Sequence, residues 1–281
     1  MKSARNSLAA FGVLVLSGIG VTAAHADDDA AALAQQLTNP VASLISVPIK
    51  TDYNSGYGAK GNGYQTVTTV QPVIPIRLNE DWNVISRTIV PYVWDQKNIS
   101  PVGPSGHQSG FSDSSQSLFF SPANPLPLGD LGNLVWGVGP VLGLPTGSAS
   151  PLLGTGRWTL GPTAVALLMN NGWTTGALVS QSWDIGGDSN RSKVNSTFIQ
   201  PFVAYTTKTA WTFTLNSEST YNWETNDWSI PINAMAAKLV KFGNQPVSLQ
   251  AGVRYWADSP EGGPEGWGAR AQVTFLFPTG G

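Results

Sequence analysis

The chain has 281 residues, no cysteine and a formal net charge of −2, and only 11% of its residues are Asp, Glu, Lys or Arg. Soluble domains carry roughly 25% charged residues, so this exterior has too little charge to face water throughout. The balance excludes a nucleic-acid footprint, and without thiols the fold must be held by hydrogen bonding and packing.

The N-terminus reads as an export signal. Lys2 and Arg5 form a short basic region, Leu8 to Ala24 are almost free of polar groups, and Ala24-His25-Ala26 offers the small-x-small pattern of a cleavage site. The apolar run is too short to be a membrane-spanning helix, and Asp27-Asp28-Asp29 follow it at once. Residues 1–26 are therefore set aside as a signal peptide. The mature chain divides into a short helical segment, 27–39, and a β domain, 40–281. Residues 27–39 (DDDAAALAQQLTN) carry Asp at the helix N-terminus and Leu33 and Leu37 on one face. Such a helix packs on or enters a barrel mouth, or it frays as a leader.

After Pro40 the polarity alternates with a period of two, in segments of about ten residues separated by Gly, Pro, Asn and Asp. Twelve segments lie near 41–50, 64–76, 82–93, 114–121, 133–145, 156–168, 173–183, 195–207, 211–221, 227–239, 246–257 and 266–277. Asn79-Glu80-Asp81, Asn170-Asn171-Gly172, Lys208-Thr209-Ala210 and Phe242 to Gln245 read as tight turns. Residues 51–63, 94–113, 146–155, 184–194 and 258–265 read as longer loops. Short turns at one end and long loops at the other are typical of bacterial outer-membrane barrels. The expected fold is all-β, a transmembrane antiparallel β-barrel of about 12 strands with a short N-terminal helix.

Alternation alone does not say which face is wet. Trp82 and Tyr92, Trp173 and Trp183, Trp211 and Tyr221, and Trp267 and Phe277 are each ten positions apart, an even spacing that puts both members on one strand face. At a tilt near 40–45°, ten residues climb roughly 25 Å, the height of the apolar band of an outer-membrane barrel. These eight residues are expected to form the membrane girdles. The opposite face carries Thr212, Thr214, Asn216 and Glu218 in one segment, Ser248, Gln250, Gly252 and Arg254 in another, and Gly268, Arg270, Gln272 and Thr274 in a third. Such a face suits a polar lumen. Pro72, Pro75, Pro91, Pro140, Pro162, Pro201 and Pro231 fall in or near these strands and are expected to mark bulges, because proline removes a ladder donor.

Arg87, Arg157, Glu218, Arg254 and Arg270 share the lumen parity and are the candidate pore-lining residues. Two readings stay open for them: a charged lining that selects solutes, or an internal network bracing a narrow or plugged barrel. Catalytic chemistry is sparse. His107, with Ser105 or Ser109 beside it, is the only local arrangement that could serve a lipid hydrolase, so no catalytic residue is assigned. A lone histidine with scattered Asp builds no metal site, and no cofactor is expected. Gly186-Gly187-Asp188 and Glu261 to Glu265 read as turn chemistry.

Several runs resemble a group of Gram-negative outer-membrane transporters close to the outer-membrane proteins associated with meta-cleavage phenol degradation, some of which carry a neuromedin-U label. They are Asn39 to Ile49 (NPVASLISVPI), Gln71 to Pro91 (QPVIPIRLNEDWNVISRTIVP), Trp136 to Thr146 (WGVGPVLGLPT), Leu153 to Val165 (LGTGRWTLGPTAV) and Glu261 to Arg270 (EGGPEGWGAR). The resemblance implies a barrel in the cell outer membrane and names no substrate or catalytic residue. One departure is that Phe277 is followed by Pro278-Thr279-Gly280-Gly281, where such barrels end on an aromatic residue. The expected function is a channel or transporter for small solutes, apolar or aromatic ones among them, with outer-membrane lipids and the barrel assembly machinery as partners. The alternatives are a non-conducting structural or binding barrel and a lipid-modifying enzyme.

Overall fold

The computed structural model describes residues 24–278 apart from 101, 149 and 151. Residues 1–23, most of the expected export signal, lie outside the described residues. A helix, α1 (Ala24–Gln36), is followed by twelve strands in a single antiparallel sheet. These are β1 (Ile45–Tyr57), β2 (Gly63–Val70, continued by Val73–Arg77), β3 (Trp82–Lys97), β4 (Gln108–Phe111, continued by Ser114–Pro122), β5 (Asn133–Leu144) and β6 (Arg157–Asn170). The remainder are β7 (Trp173–Gly187), β8 (Asn195–Thr206), β9 (Trp211–Ser217, continued by Ser219–Asn222), β10 (Asp227–Phe242), β11 (Gln245–Asp258) and β12 (Gly266–Phe277). Each strand pairs with the next, and β12 pairs with β1 from Ile45↔Phe277 to Tyr53↔Ala269, which closes the barrel. Closure is what a lipid environment demands, since an open edge would leave unpaired N–H and C=O groups in hydrocarbon. Among the described residues no helix is long and apolar enough to cross a membrane.

Tight turns sit at the end that also carries α1 and the end of β12. One of them, Asn171-Gly172, has positive φ at both positions (47° and 83°), the backbone of a two-residue hairpin matched to strand twist. Residues 123–132, at the same end, break the expected alternation of short and long with a ten-residue connection that holds a 3-10 turn, Gly129–Leu131. The first segment also differs from expectation. Strand β1 starts at Ile45 and runs on to Tyr57, so much of the expected loop 51–63 is strand. Likewise the expected loop 94–113 narrows to 98–107.

The outer face carries the apolar parity. Trp211, Phe213 and Leu215 on β9, and Trp267, Val273, Phe275 and Phe277 on β12, are exposed, while Thr212 and Thr274 face inward and are buried. An outer wall of this kind would be insoluble in water and is at home in lipid.

The prolines mostly keep register rather than marking bulges, although pairing lapses on one side of Pro140, between β4 and β5, and on one side of Pro162, between β6 and β7. Pro140 lies opposite Pro162, and Pro75, Pro91 and Pro201 occupy ordinary register positions. Pro72 falls in the break within β2, and Pro231 adjoins a register shift against β11. The break in β9 at Glu218 also has a proline cause. Extending the register on either side places Pro201 opposite Ser217 and Pro231 opposite Glu218. Both neighbouring strands thus lack a donor at the same level. The Ser217 hydroxyl donates to the Pro231 carbonyl (2.8 Å) and bridges the gap.

Candidate functional site in the barrel lumen

Inward parity on five strands assembles a charged network at the centre of the lumen. Asp52 and Arg270 are direct cross-strand partners at the β1–β12 seam. The Arg270 guanidinium donates from Nε to Asp52 Oδ1 (2.6 Å) and from Nη2 to Asp52 Oδ2 (3.1 Å). It also donates to both oxygens of Glu218, at 3.0 and 2.7 Å. Arg254 donates to Glu218 Oε2 (2.7 Å), to Asn233 Oδ1 on the facing strand β10 (2.7 Å) and to Asn54 Oδ1 (3.2 Å). Lys50 Nζ lies 3.4 Å from Glu218 Oε1 and 4.0 Å from Asp52 Oδ2. The Trp256 ring covers the Arg254 guanidinium at 5.5 Å. Arg254 and Arg270 are 5% and 4% exposed, so these pairs act with little screening from bulk water.

Arg87, on β3, faces the same lumen at a lower level and lines a cavity of about 230 Å³. The cavity wall also includes Lys50, Glu218 and Arg270, the amides of Gln71, Gln200 and Gln272, and the apolar side chains of Val73, Phe202 and Met235. None of the Arg87 donors meets an acceptor among the described residues, unlike those of Lys50, Arg254 and Arg270. With Arg87 included, the four cations exceed the two carboxylates by two charges.

The other half of the lumen is filled. Ile85, Phe119, Val135, Val165, Leu167 and Leu178, from β3 to β7, form one apolar cluster around Val41. Val41 precedes the first strand, so the chain before β1 is inserted into the barrel. A second cluster seals that mouth: Ala34, Ala42 and Leu44 pack on Ala210, Leu239 and Leu276, with Leu33 and Leu37 alongside. Thr38 Oγ1 donates to Thr174 Oγ1 on β7 (2.7 Å) and ties the segment to the wall. At the opposite end Gly147 and residues 152–155, which follow β5, fold inward. Asp113 accepts from the backbone N–H of Gly147 (2.9 Å) and Thr155 (2.6 Å), and Gln96 donates to the Leu152 carbonyl (3.1 Å), with Leu153 buried beneath.

The other expected residues fall as follows. Arg157 has inward parity but stands at the long-loop rim of β6, where it pairs with Asp184 and donates to the Asp188 carbonyl (2.8 Å), away from the central cavity. All eight aromatic residues lie on the outer wall. Trp82 packs edge-on against Trp136, while Trp173 meets Tyr205 and Tyr255 meets Trp267 with tilted rings. Tyr92 meets Trp94 and Phe111, and Tyr221 meets Trp223 and Trp228. Trp183 and Phe277 are exposed beside them. His107 Nδ1 sits 2.9 Å from Asp95 Oδ1, and Tyr64 donates to the other Asp95 oxygen (2.7 Å). Neither Ser105 nor Ser109 reaches the imidazole; Ser105 Oγ accepts instead from the Ile99 N–H (3.0 Å). The Gly- and Glu-rich motifs make turns, with Asp188 N–H donating to Gly156 O and Gly263 N–H to Pro260 O.

Asp52, Lys50, Asn54 and Asn233 are the members of the network that the sequence reading missed. The signal was present, because Ile49 and Tyr53 continue the outward parity of β1 past Lys50. Gly56, Gly58, Gly61 and Gly63 made the stretch resemble a long loop.

No protein-family model and no curated protein matches the chain. Among solved structures it is similar to an outer membrane channel from Pseudomonas putida F1, at 14% identity and a TM-score of 0.63, over 84% of this chain and 96% of that one. Two outer membrane phospholipase structures are more distant, one from Salmonella typhi and one from Escherichia coli. Each has a TM-score of 0.46, at 13% and 12% identity, over 90% and 83% of this chain and 98% and 96% of theirs. At these identities the likeness establishes fold and not activity. The fold is that of a Gram-negative outer-membrane β-barrel, with an apolar outer wall suited to lipid.

Proposed function

We propose that the protein is a passive outer-membrane channel for small solutes, with a lumen that favours anions and a periplasmic mouth held by the segment before β1. The cavity beside the charge network carries this reading. A barrel built only as a scaffold has no need of a wetted, charged space at its centre. The excess of positive charge around it raises the local concentration of anions. Val73, Phe202 and Met235 offer apolar surface to the body of a solute. The runs resembling the transporter group near meta-cleavage phenol degradation support the same reading, as does the channel from Pseudomonas putida F1. Outer-membrane lipids would cover the aromatic exterior, and the barrel assembly machinery would insert the strands.

A second reading, a binding barrel without flux, is favoured by the packed half of the lumen around Val41, Ile85 and Phe119. A lipid-modifying enzyme is not favoured, because His107 has no serine at hand. Planar-bilayer recording of the full chain tests the choice. The channel reading expects discrete conductance steps and a reversal potential under a salt gradient with the sign of anion preference, reduced in Lys50→Gln. Silence in the bilayer together with no liposome swelling would leave the binding barrel.

A further inference from the structure

Arg87 is the cation of the lumen cavity that has no direct partner among the described residues, with Glu218 across the same cavity acting on it only through space. Lys50, Arg254 and Arg270 each meet a carboxylate within 4.0 Å, whereas Arg87 has neither hydrogen bond nor ion pair among the described residues. Its register neighbours are Val73 on β2 and Ser117 on β4, so it stands in the continuous wall of the barrel and not on a mobile loop. Among the described residues no sealed side-chain nitrogen or oxygen lacks a partner, so the free donors of Arg87 open onto the cavity.

The cavity is amphipathic. Its lining mixes the two kinds of surface: Val73 stands directly beside Arg87 across β2 and β3, Phe202 is two residues from Gln200 on β8, and Gln71, Gln272 and Glu218 add polar groups. Val73 and Phe202 also pack against the apolar cluster that fills the rest of the lumen. Its volume is about 230 Å³. That is below the usual size of sites for larger ligands, about 300 Å³ and above.

We infer that this cavity is a binding site for a small organic monocarboxylate with an apolar body. The planar guanidinium of Arg87 offers a fork of N–H donors that matches a carboxylate in two parallel bonds. The amides of Gln71 and Gln200 in the lining supply further donors. The apolar body lies against Val73, Phe202 and Met235, with Leu37 of the inserted segment closing the cavity below. A strongly hydrated anion such as phosphate fits less well, because the apolar wall returns none of the hydration it would lose. The inference rests on the channel reading only in taking the occupant for a passing solute.

Benzoate is a suitable probe, with benzamide as its neutral near-isostere. Equilibrium dialysis of labelled benzoate against the folded full-length barrel in detergent should show saturable one-site binding that benzamide does not displace. Arg87→Gln should weaken that binding by about ten- to a hundredfold, the usual effect of losing a charge-assisted hydrogen-bonded pair. Arg87→Lys keeps the charge without the fork and should fall between the two. The heat-induced gel shift shows whether each variant is folded, and the contrast of benzoate with benzamide on the unaltered protein decides the matter even where a variant is not. Equal displacement by benzamide, unaltered binding in Arg87→Gln, or no saturable binding would overturn the site. Saturable binding in a barrel that passes no current would remove the channel reading and leave the site standing.

Discussion

Arg270 on the last strand holds Asp52 on the first in a two-bonded pair, Nε to Oδ1 at 2.6 Å and Nη2 to Oδ2 at 3.1 Å, at the seam where the barrel closes. The two residues are 218 positions apart in the chain and directly opposite in register. The pair is extended by Glu218, which reaches into the lumen where prolines on both neighbouring strands interrupt β9. A seam pair of this kind contributes to closure as well as to the electrostatics of the lumen.

Removing one member should therefore destabilise the barrel. Arg270→Ala leaves Asp52 and Glu218 short of a cation and should cost about 3–5 kcal/mol, the usual effect of breaking a buried pair. The double variant Arg270→Met with Asp52→Leu should lie closer to the wild type than Arg270→Ala, because it strands no charge on β1. The midpoint of the heat-induced gel shift reads both. Equal loss in the single and the double variant would show that the bonds at the seam contribute little.

The segment before β1 should act as a movable seal. Thr38 and Thr174 touch through their hydroxyls at 2.7 Å, and the chain has no cysteine of its own to confuse a cross-link. Replacing both by cysteine and oxidising should tie the segment to β7 and lower single-channel conductance, with recovery on reduction. Conductance that ignores the cross-link would mean that solute passes without displacement of this segment.

The aromatic exterior should define two membrane levels. Trp82, Trp173 and Trp211 each follow a tight turn at the end carrying α1, whereas Tyr92, Trp183 and Tyr221 stand ten residues higher. In variants keeping one of the three tryptophans as the sole tryptophan, quenching by brominated lipids should place all three at a common depth near the interface, roughly 25 Å from the opposite girdle. Three clearly different depths would remove the shared girdle.

Export should end with cleavage after Ala26, just before the Asp27-Asp28-Asp29 run. The intact mass of the protein recovered from the outer membrane measures this directly, and a mature N-terminus more than a few residues from Asp27 would refute it.

Strand number, parity and the rhythm of turns were legible in the sequence because each is a local property. Side chains in a strand alternate between two faces whatever the strand pairs with, so Trp211 and Phe213 reveal the outward face without any knowledge of β8 or β10. Tight turns such as Asn171-Gly172 carry their own chemistry. Where local signals conflict, the reading slips. Proline-bearing strands looked bulged because a missing donor matters only when a neighbour needs it, and that depends on register. Pro140 and Pro162 face one another in an unbroken ladder and each interrupts the pairing only on its other side, whereas Pro201 and Pro231 meet the same neighbour and split it.

The sequence by itself determined that the chain is a barrel with an apolar, aromatic exterior and a polar lumen holding Arg87, Glu218, Arg254 and Arg270. Only the tertiary structure decided what those charges do. Closure of β12 on β1 brings Asp52 to Arg270, and the gap in β9 brings Glu218 to Arg254, Arg270 and Lys50. Insertion of the chain around Val41 fills one half of the lumen and leaves a cavity at Arg87. Pairing between distant charges is set by register and closure, which depend on the whole sheet at once, so no local pattern in the chain encodes it.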